Sequence, residues 1–332
     1  SILGDDFTLA QFHYQLGEKG LWEHGNNILM ARPIEETAQH LKLEQDLVKK
    51  RLLEIDQKLL KERNKRIRPG LYDKCLTSWN GLLLSGLSDA FKATQNQYYR
   101  NLAEECCRAI SEKMWTDDEL MHTYKNEKST ISGMLEDYAF LAQGCLDVYQ
   151  ITGDELFYNT AVELTQKALE LFYHTEKGLF YFNRSNELVV HMAELHDNVI
   201  PATNSAMARL LNYIGLLEGN SYYLSIASEL CSKVQEGMQE YTGSYANWAL
   251  ATLEQTAPFY EVAVVGTDAQ QMAGQLQQLF LPNTLIVYTE KQSTLPLFKD
   301  RWNENETRIF VCRKGACQMP VNTPQEALNQ LQ

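Results

Sequence analysis

Three stretches of the chain share one layout of apolar and polar positions. Residues 81–93 lead to the turn and aromatic pair of 96–99; residues 139–149 lead to 152–158; residues 205–217 lead to 219–223. Each begins as a helix that is apolar on most sides and ends at a polar turn. Each turn opens a second helix on neighbouring aromatics: Tyr98-Tyr99, Phe157-Tyr158 and Tyr222-Tyr223. The second helices carry one stripe only. In 98–115 it runs through Tyr98, Leu102, Cys106, Ile110 and Met114, with Glu104, Glu105, Arg108 and Glu112 facing away. In 155–173 it is Leu156, Ala161, Leu164, Ala168 and Leu171; in 221–238 it is Leu224, Ala227, Leu230 and Val234. A helix apolar all round is buried and a striped one lies at the surface. Repeated alternation of the two kinds predicts an inner and an outer ring. The fold class expected is mainly α, an α/α toroid forming part of a six-hairpin barrel.

The connections are patterned as well. Residues 116–135 and 174–203 are long links with strand-like alternation at 120–124, 178–182 and 187–192, and links of that length usually carry function. A last inner helix starts near Tyr245 and ends before Pro258. From Glu261 the period shortens: Val262-Ala263-Val264-Val265 reads as a buried strand, with further strands at 285–288 and 308–311. Asp268 with Gln271 three residues on reads as a capping box. The expected organisation is a toroid portion over residues 1–258 and a small α/β unit over 259–332. Ahead of the repeats, residues 1–36 read as irregular, and residues 44–66 as a charged helix with a Leu52, Ile55, Leu59 stripe and a basic end. Arg68 precedes Pro69, which stops that helix, and Thr77 or Ser78 can cap the next one.

Composition narrows the partners. The 332 residues carry a net charge of −13, and a nucleic-acid partner needs a basic footprint instead. No apolar run approaches the ~20 residues that span a bilayer. Seven cysteines without a Cys-x-x-Cys suggest a reducing, cytoplasmic setting; the Cys106-Cys107 and Cys312/Cys317 pairs are the redox candidates. The first residue is Ser1 and no leader pattern is visible, so a fragment or processed chain is expected. No zinc spacing links the seven His residues and no nucleophile elbow occurs, so neither a metal nor a cofactor is expected.

The repeat places Trp79/Asn80, Asp137/Tyr138 and Thr203/Asn204 at equivalent starts of inner helices. Such helices run the same way, so these residues converge at one end, where helix dipoles present their positive ends. The long links deliver Asp73, Lys74, Glu136, Glu194, His196 and Asp197 to the same face. A carboxylate or polyol ligand suits that end. Each residue also has a structural alternative. Asp73 and Lys74 can form an ion pair with neighbours, Trp79 can be core, Asp137 can serve only as a cap, His196-Asp197 can be a satisfied loop pair, and Asn204 can belong to a capping segment.

These residues carry a resemblance. Arg66, Pro69, Asp73-Lys74 and Leu76-Thr77-Ser78-Trp79-Asn80-Gly81-Leu82 resemble the hallmark of the thioredoxin-domain-containing family that includes the spermatogenesis-associated proteins. Glu136-Asp137-Tyr138-Ala139-Phe140-Leu141, Asp197 with Pro201, Asn204 and Ser205, residues 21–29, and Ala316-Cys317-Gln318 with Pro320-Val321 are similar to further blocks in the same order. Tyr72 and Ala202 depart from the pattern, where the family has an acidic residue and a serine. The resemblance covers the C-terminal half of such proteins. It implies an upstream thioredoxin-like domain followed by a first part of the toroid, so that missing upstream sequence or a partner chain completes the ring. The toroid is similar to those of N-acylglucosamine 2-epimerases and six-hairpin glycosidases. It implies an epimerase- or glycosidase-like protein for a small sugar or polyol, with Asp73, Asp137, Asp197 and His196 as acid–base candidates and Arg68, Lys74, Trp79, Asn80, Tyr138 and Asn204 around the ligand. The alternative is a non-catalytic scaffold for the thioredoxin-like domain.

Overall fold

A computed structural model describes residues 2–331 apart from Lys19, Leu21, Asp117 and 185–191. The strand-like run at 187–192 therefore falls almost wholly outside the described residues. The chain divides into two compact units, Ser1–Tyr72 and Asp73–Gln332.

The first unit holds α1 (Phe7–His13), α2 (Ile34–Leu41) and α3 (Gln45–Arg63). Val48, Leu52 and Ile55 of α3 meet Leu9, Ala10 and Ala38 in a small core. The stretch expected to be irregular thus contains a helix. Its short apolar face is completed only by residues distant in sequence, and His13 is buried against it with Nδ1 2.9 Å from Thr37 Oγ1.

In the second unit the hairpins follow the alternation. They are α4 (Thr77–Thr94) with α5 (Gln97–Met114), α6 (Leu135–Thr152) with α7 (Glu155–Phe172), and α8 (Thr203–Glu218) with α9 (Ser221–Lys233). After the short α10 (Gln235–Glu240) comes a fourth inner helix, α11 (Ala246–Thr256). The inner helices neighbour one another in the order α4, α6, α8, α11. Helices α6 and α8 are buried nearly all round, as inner positions require. Gly81 and Gly144 let α4 and α6 touch backbone to backbone, since a Cβ at Gly81 would lie 2.4 Å from the Phe140 carbonyl carbon. Asn96, Asp154 and Asn220 cap the outer helices by accepting from the amides of Tyr98, Leu156 and Tyr222.

The outer stripes sit slightly off their expected positions. Tyr98 and Leu156 are exposed, and the buried sets are Ala103, Cys107, Ile110 and Met114 on α5 and Phe157, Tyr158, Ala161, Leu164 and Ala168 on α7. A strict step of four drifts around a helix of 3.6 residues per turn, so the core-facing line must mix steps of three and four. The arc's two outermost inner helices show apolar flanks to solvent: Trp79 and Leu83 on α4, Leu250 and Leu253 on α11.

The link after α5 is a small sheet. Strand β1 (Cys75–Leu76) and β2 (Trp115–Thr116) both pair with β3 (Glu119–Lys125), which also pairs with β4 (Lys128–Ser132). After α7, β5 (Tyr173–His174) and β6 (Leu179–Phe180) form a two-stranded ribbon. The C-terminal sheet runs β10-β9-β7-β8, with β7 (Tyr260–Val265), β8 (Thr284–Thr289), β9 (Arg308–Arg313) and β10 (Ala316–Cys317). Strands β7 and β8 are parallel and joined by α12 (Ala269–Gln277); β9 is antiparallel to β7. Side chains alternate across a strand. Ala263, Val265, Leu285 and Val287 accordingly join the helical core, and Val262, Val264, Ile286, Ile309 and Val311 pack under α12 and α13 (Pro324–Gln330). Asp268 precedes α12 but its side chain makes no cap bond; its amide instead donates to Thr307 Oγ1.

The cysteine pairs resolve differently. Cys312 and Cys317 are joined by a disulfide across β9 and β10. Cys106 and Cys107 diverge on α5: the first points to Asn80 Oδ1, and the second lies 3.2 Å from Cys145 Sγ in the core.

Candidate functional site

The inner-helix N-termini come together through two aspartates. Asp137, fully buried in the first turn of α6, accepts from the amide of Met134 at 2.8 Å and from the amide of Ser78 at 3.0 Å. It therefore serves the orphan donors of two helices, its own and α4. Neither Thr77 nor Ser78 caps α4; Thr77 Oγ1 donates to Met121 O, and the neighbouring helix's carboxylate does the capping. Asp197 repeats the device one pair further on. It accepts from Ala202 N at 2.8 Å, Ser205 Oγ at 3.3 Å and Asn247 N at 2.8 Å, pinning the starts of α8 and α11.

Around Asp137 lies the group of polar side chains with chemistry to spare. His122, on β3, places Nδ1 2.9 Å and 3.0 Å from the two Asp137 oxygens. Glu136 is partly buried, with Oε1 3.9 Å from His122 Nδ1 and 3.4 Å from the donating Ser78 Oγ. The hydrogen bond that His122 donates to Asp137 raises its pKa, with burial opposing it, Glu136 adding to it and Lys74 opposing. Burial pushes the Glu136 carboxyl up, and the charges of Asp137 and Glu194 push the same way. Glu136 sits at the positive end of α6, which favours its anion; burial outweighs that contribution. Glu194, from the 174–203 link, accepts weakly from Thr203 N at 3.3 Å.

His122, Glu136 and Asp137 bring their ligating atoms within 4.8 Å of one another, close enough to hold a cation. The Asp137 oxygens are already occupied by two amides and His122, so the cluster is better described as a hydrogen-bonded network.

The other expected residues fall into three groups. Asn204 is buried and exchanges two bonds with the Phe180 backbone, at 2.9 Å each. Asn80 donates to Leu76 O at 2.7 Å, and Tyr138, 1% exposed, accepts from Leu120 N. All three engage backbone groups. Asp73 is exposed and held below the usual carboxylate range by its bond with Lys125, 2.5 Å away; Lys74 is exposed near His122. Trp79 is 61% exposed, a free ring face and not core. His196 is exposed with Nε2 3.0 Å from Tyr245 Oη. Arg68 bonds Asn64 and belongs to the first unit. Asp137 and Asn204 are closed to solvent, so Asp73, Trp79, Asp137 and Asn204 do not line a common opening. His122 is the residue the motifs miss. Its signal is the alternation of 120–124 on a link that returns to an inner-helix start.

A pH test follows from the His122 shift. A raised folded-state pKa stabilises fully below the unfolded histidine value of about 6.5 and is lost as pH rises through the folded value. The difference in urea midpoint between wild type and His122→Gln should therefore be largest in mild acid and shrink above neutrality. A difference that grows with pH would contradict the pairing.

The fold and this row of helix starts define an α/α-toroid protein. No family profile matches the chain. In sequence it is similar to an uncharacterized protein of Caenorhabditis elegans, 27% identical over 88% of this chain and 42% of that protein. It is similar as well to spermatogenesis-associated protein 20 of human, 23% identical over 91% of this chain and 42% of that protein, and of rat, 23% over 96% and 45%. These are relatives of the kind the Asp73–Leu82 block indicates. The chain spans less than half the length of each. In structure it is similar to a GH76 α-mannanase of Bacteroides thetaiotaomicron, with TM-score 0.45 and 12% identity over 68% of this chain and 65% of that one. A GH76 α-1,6-mannanase from Salegentibacter sp. gives 0.41 and 14% over 70% and 69%. No helix is long and apolar enough to cross a membrane among the described residues.

Proposed function

We propose that the inner-helix N-termini form an acid–base site for a sugar or polyol, epimerase- or glycosidase-like in chemistry. The observation that carries this reading is Glu136: a partly buried carboxyl with a raised pKa, one residue from the His122–Asp137 pair and electrostatically coupled to Glu194. Glu136 is the proton donor in this reading, because a carboxyl that keeps its proton nearer neutrality is suited to general acid catalysis. His122, held in one orientation by Asp137, is the proton acceptor needed beside a carbonyl; Glu194 is the second carboxylate a glycosidase needs. Exposed Trp79 offers a stacking face and Lys74 a cationic rim. Asp137 and Asp197 act here as positioning residues, not as groups that touch the ligand.

The scaffold reading has an observation of its own: Asp73, Asp137 and Asp197 are all engaged in pairs or caps. A thermal-shift screen against hexoses, uronates and linear polyols separates the two. The catalytic reading expects a stabilising ligand whose effect is lost in Glu136→Gln. The scaffold reading expects no such ligand, with the exposed α4 and α11 flanks taking an upstream domain or partner chain.

A further inference from the structure

At the opposite ends of the inner helices lies a cavity of about 450 Å³, between α8, α9, the end of α11 and the β9–β10 turn. That volume is in the range of small-molecule sites. Its walls are apolar at Leu216, Leu224 and Phe259. Two polar residues on it are almost wholly buried. Asn212 is 5% exposed, and its Nδ2 has no hydrogen-bond partner among the described residues. Glu261 is 1% exposed and, among the described residues, accepts from Lys314 N at 3.2 Å and Gly315 N at 3.5 Å. A buried donor left unpaired is costly, and so is a buried carboxyl held by two long contacts. Of the residues lining the cavity, Asn212 thus carries an unused donor and Glu261 an under-used acceptor.

We propose that this cavity is a binding site for a small neutral amphiphile whose head both accepts and donates hydrogen bonds, of the primary carboxamide type. The carbonyl of such a head answers Asn212 Nδ2, its N–H answers Glu261, and its aliphatic or aromatic body covers Leu216, Leu224 and Phe259. An anionic head is disfavoured. Of the charged residues lining the cavity, Glu254 is paired with Arg209 and Lys314 is a cation, so the bias against an anion rests on buried Glu261 and on the negative ends of α8 and α11 that close on it. An ammonium head lacks the acceptor that Asn212 requires. Burial also raises the Glu261 pKa, which suits a neutral guest. The site is independent of the one at the inner-helix N-termini.

The test uses benzamide and cinnamamide as probes of the full chain by saturation-transfer NMR, with benzoate and styrene as controls. Ligand efficiency for so few atoms sets the expected Kd in roughly the millimolar range. Both amides should bind and both controls should bind at least about tenfold more weakly, the discrimination expected when buried polar groups are left unpaired. Ser228 is exposed on the cavity wall, so Ser228→Trp should fill the space, keep the fold and abolish binding. Asn212→Leu removes the unpaired donor. It should weaken amide binding without lowering the melting temperature. Failure of both amides to bind at about 10 mM, roughly an order of magnitude above the Kd expected from their size, would overturn the proposal. So would benzoate binding as well as benzamide, or amide binding unchanged in Ser228→Trp.

Discussion

Asp137→Ala is expected to lower the unfolding free energy by about 3–5 kcal/mol, read from urea or guanidinium transitions. The alanine strands the Ser78 and Met134 amides, each worth roughly 1–3 kcal/mol when buried without a partner, and leaves His122 facing no counter-charge. The contact between α4 and α6 depends on this carboxylate, because the Gly81 and Gly144 packing brings helices together but does not satisfy their first-turn donors. Asp137→Asn should retain part of the loss, since one amide oxygen can still accept while its NH2 confronts a second donor. A loss below about 1 kcal/mol, the scale of an ordinary exposed cap, would show that Asp137 does not pin two helices.

Trp248→Ala should cost a similar amount, about 3–5 kcal/mol for a large aromatic removed from the core. Trp248 is fully buried on α11, and its Nε1 donates to Leu195 O at 2.8 Å. The indole thus ties the last inner helix to the link carrying Glu194, His196 and Asp197. Trp248→Phe keeps most of the volume and drops that bond. It should recover most of the stability while loosening the link, seen as faster amide exchange at residues 194–197. If Trp248→Phe is as damaging as Trp248→Ala, the bond and not the packing holds α11 in place.

The inner and outer helices are legible in the sequence because burial on all sides and burial on one face leave different patterns. The stripes of α5 and α7 are legible only to within a residue, since aromatics such as Tyr98 look like core members whichever side of the line they occupy. The site is legible in outline for a related reason. Repeat-equivalent starts carry Asp137 and Asn204, and the face they share is readable. What each does there depends on a neighbour far away in sequence. Asp137 caps α4 through Ser78, 59 residues earlier, and Asn204 stitches a strand end at Phe180. Nothing local distinguishes a carboxylate that serves backbone amides from one that serves a ligand. His122 escapes notice because a single histidine on a hairpin strand carries no spacing signal. Its meaning comes from β3 laying it against the α6 start. The α7–α8 link, by contrast, announces itself through length alone.

A catalytic site at the inner-helix N-termini requires that Glu136 move protons on a bound sugar. Hexoses and aryl glycosides incubated with the chain in D2O and followed by proton NMR give the measurement. Chain-dependent loss of a carbon-bound proton signal or release of the aryl group is expected. The effect should be abolished in Glu136→Gln and strongly reduced in His122→Gln, while the melting temperature of Glu136→Gln stays near wild type. Spectra indistinguishable from the sugar alone, or turnover that persists in Glu136→Gln, would contradict such a site.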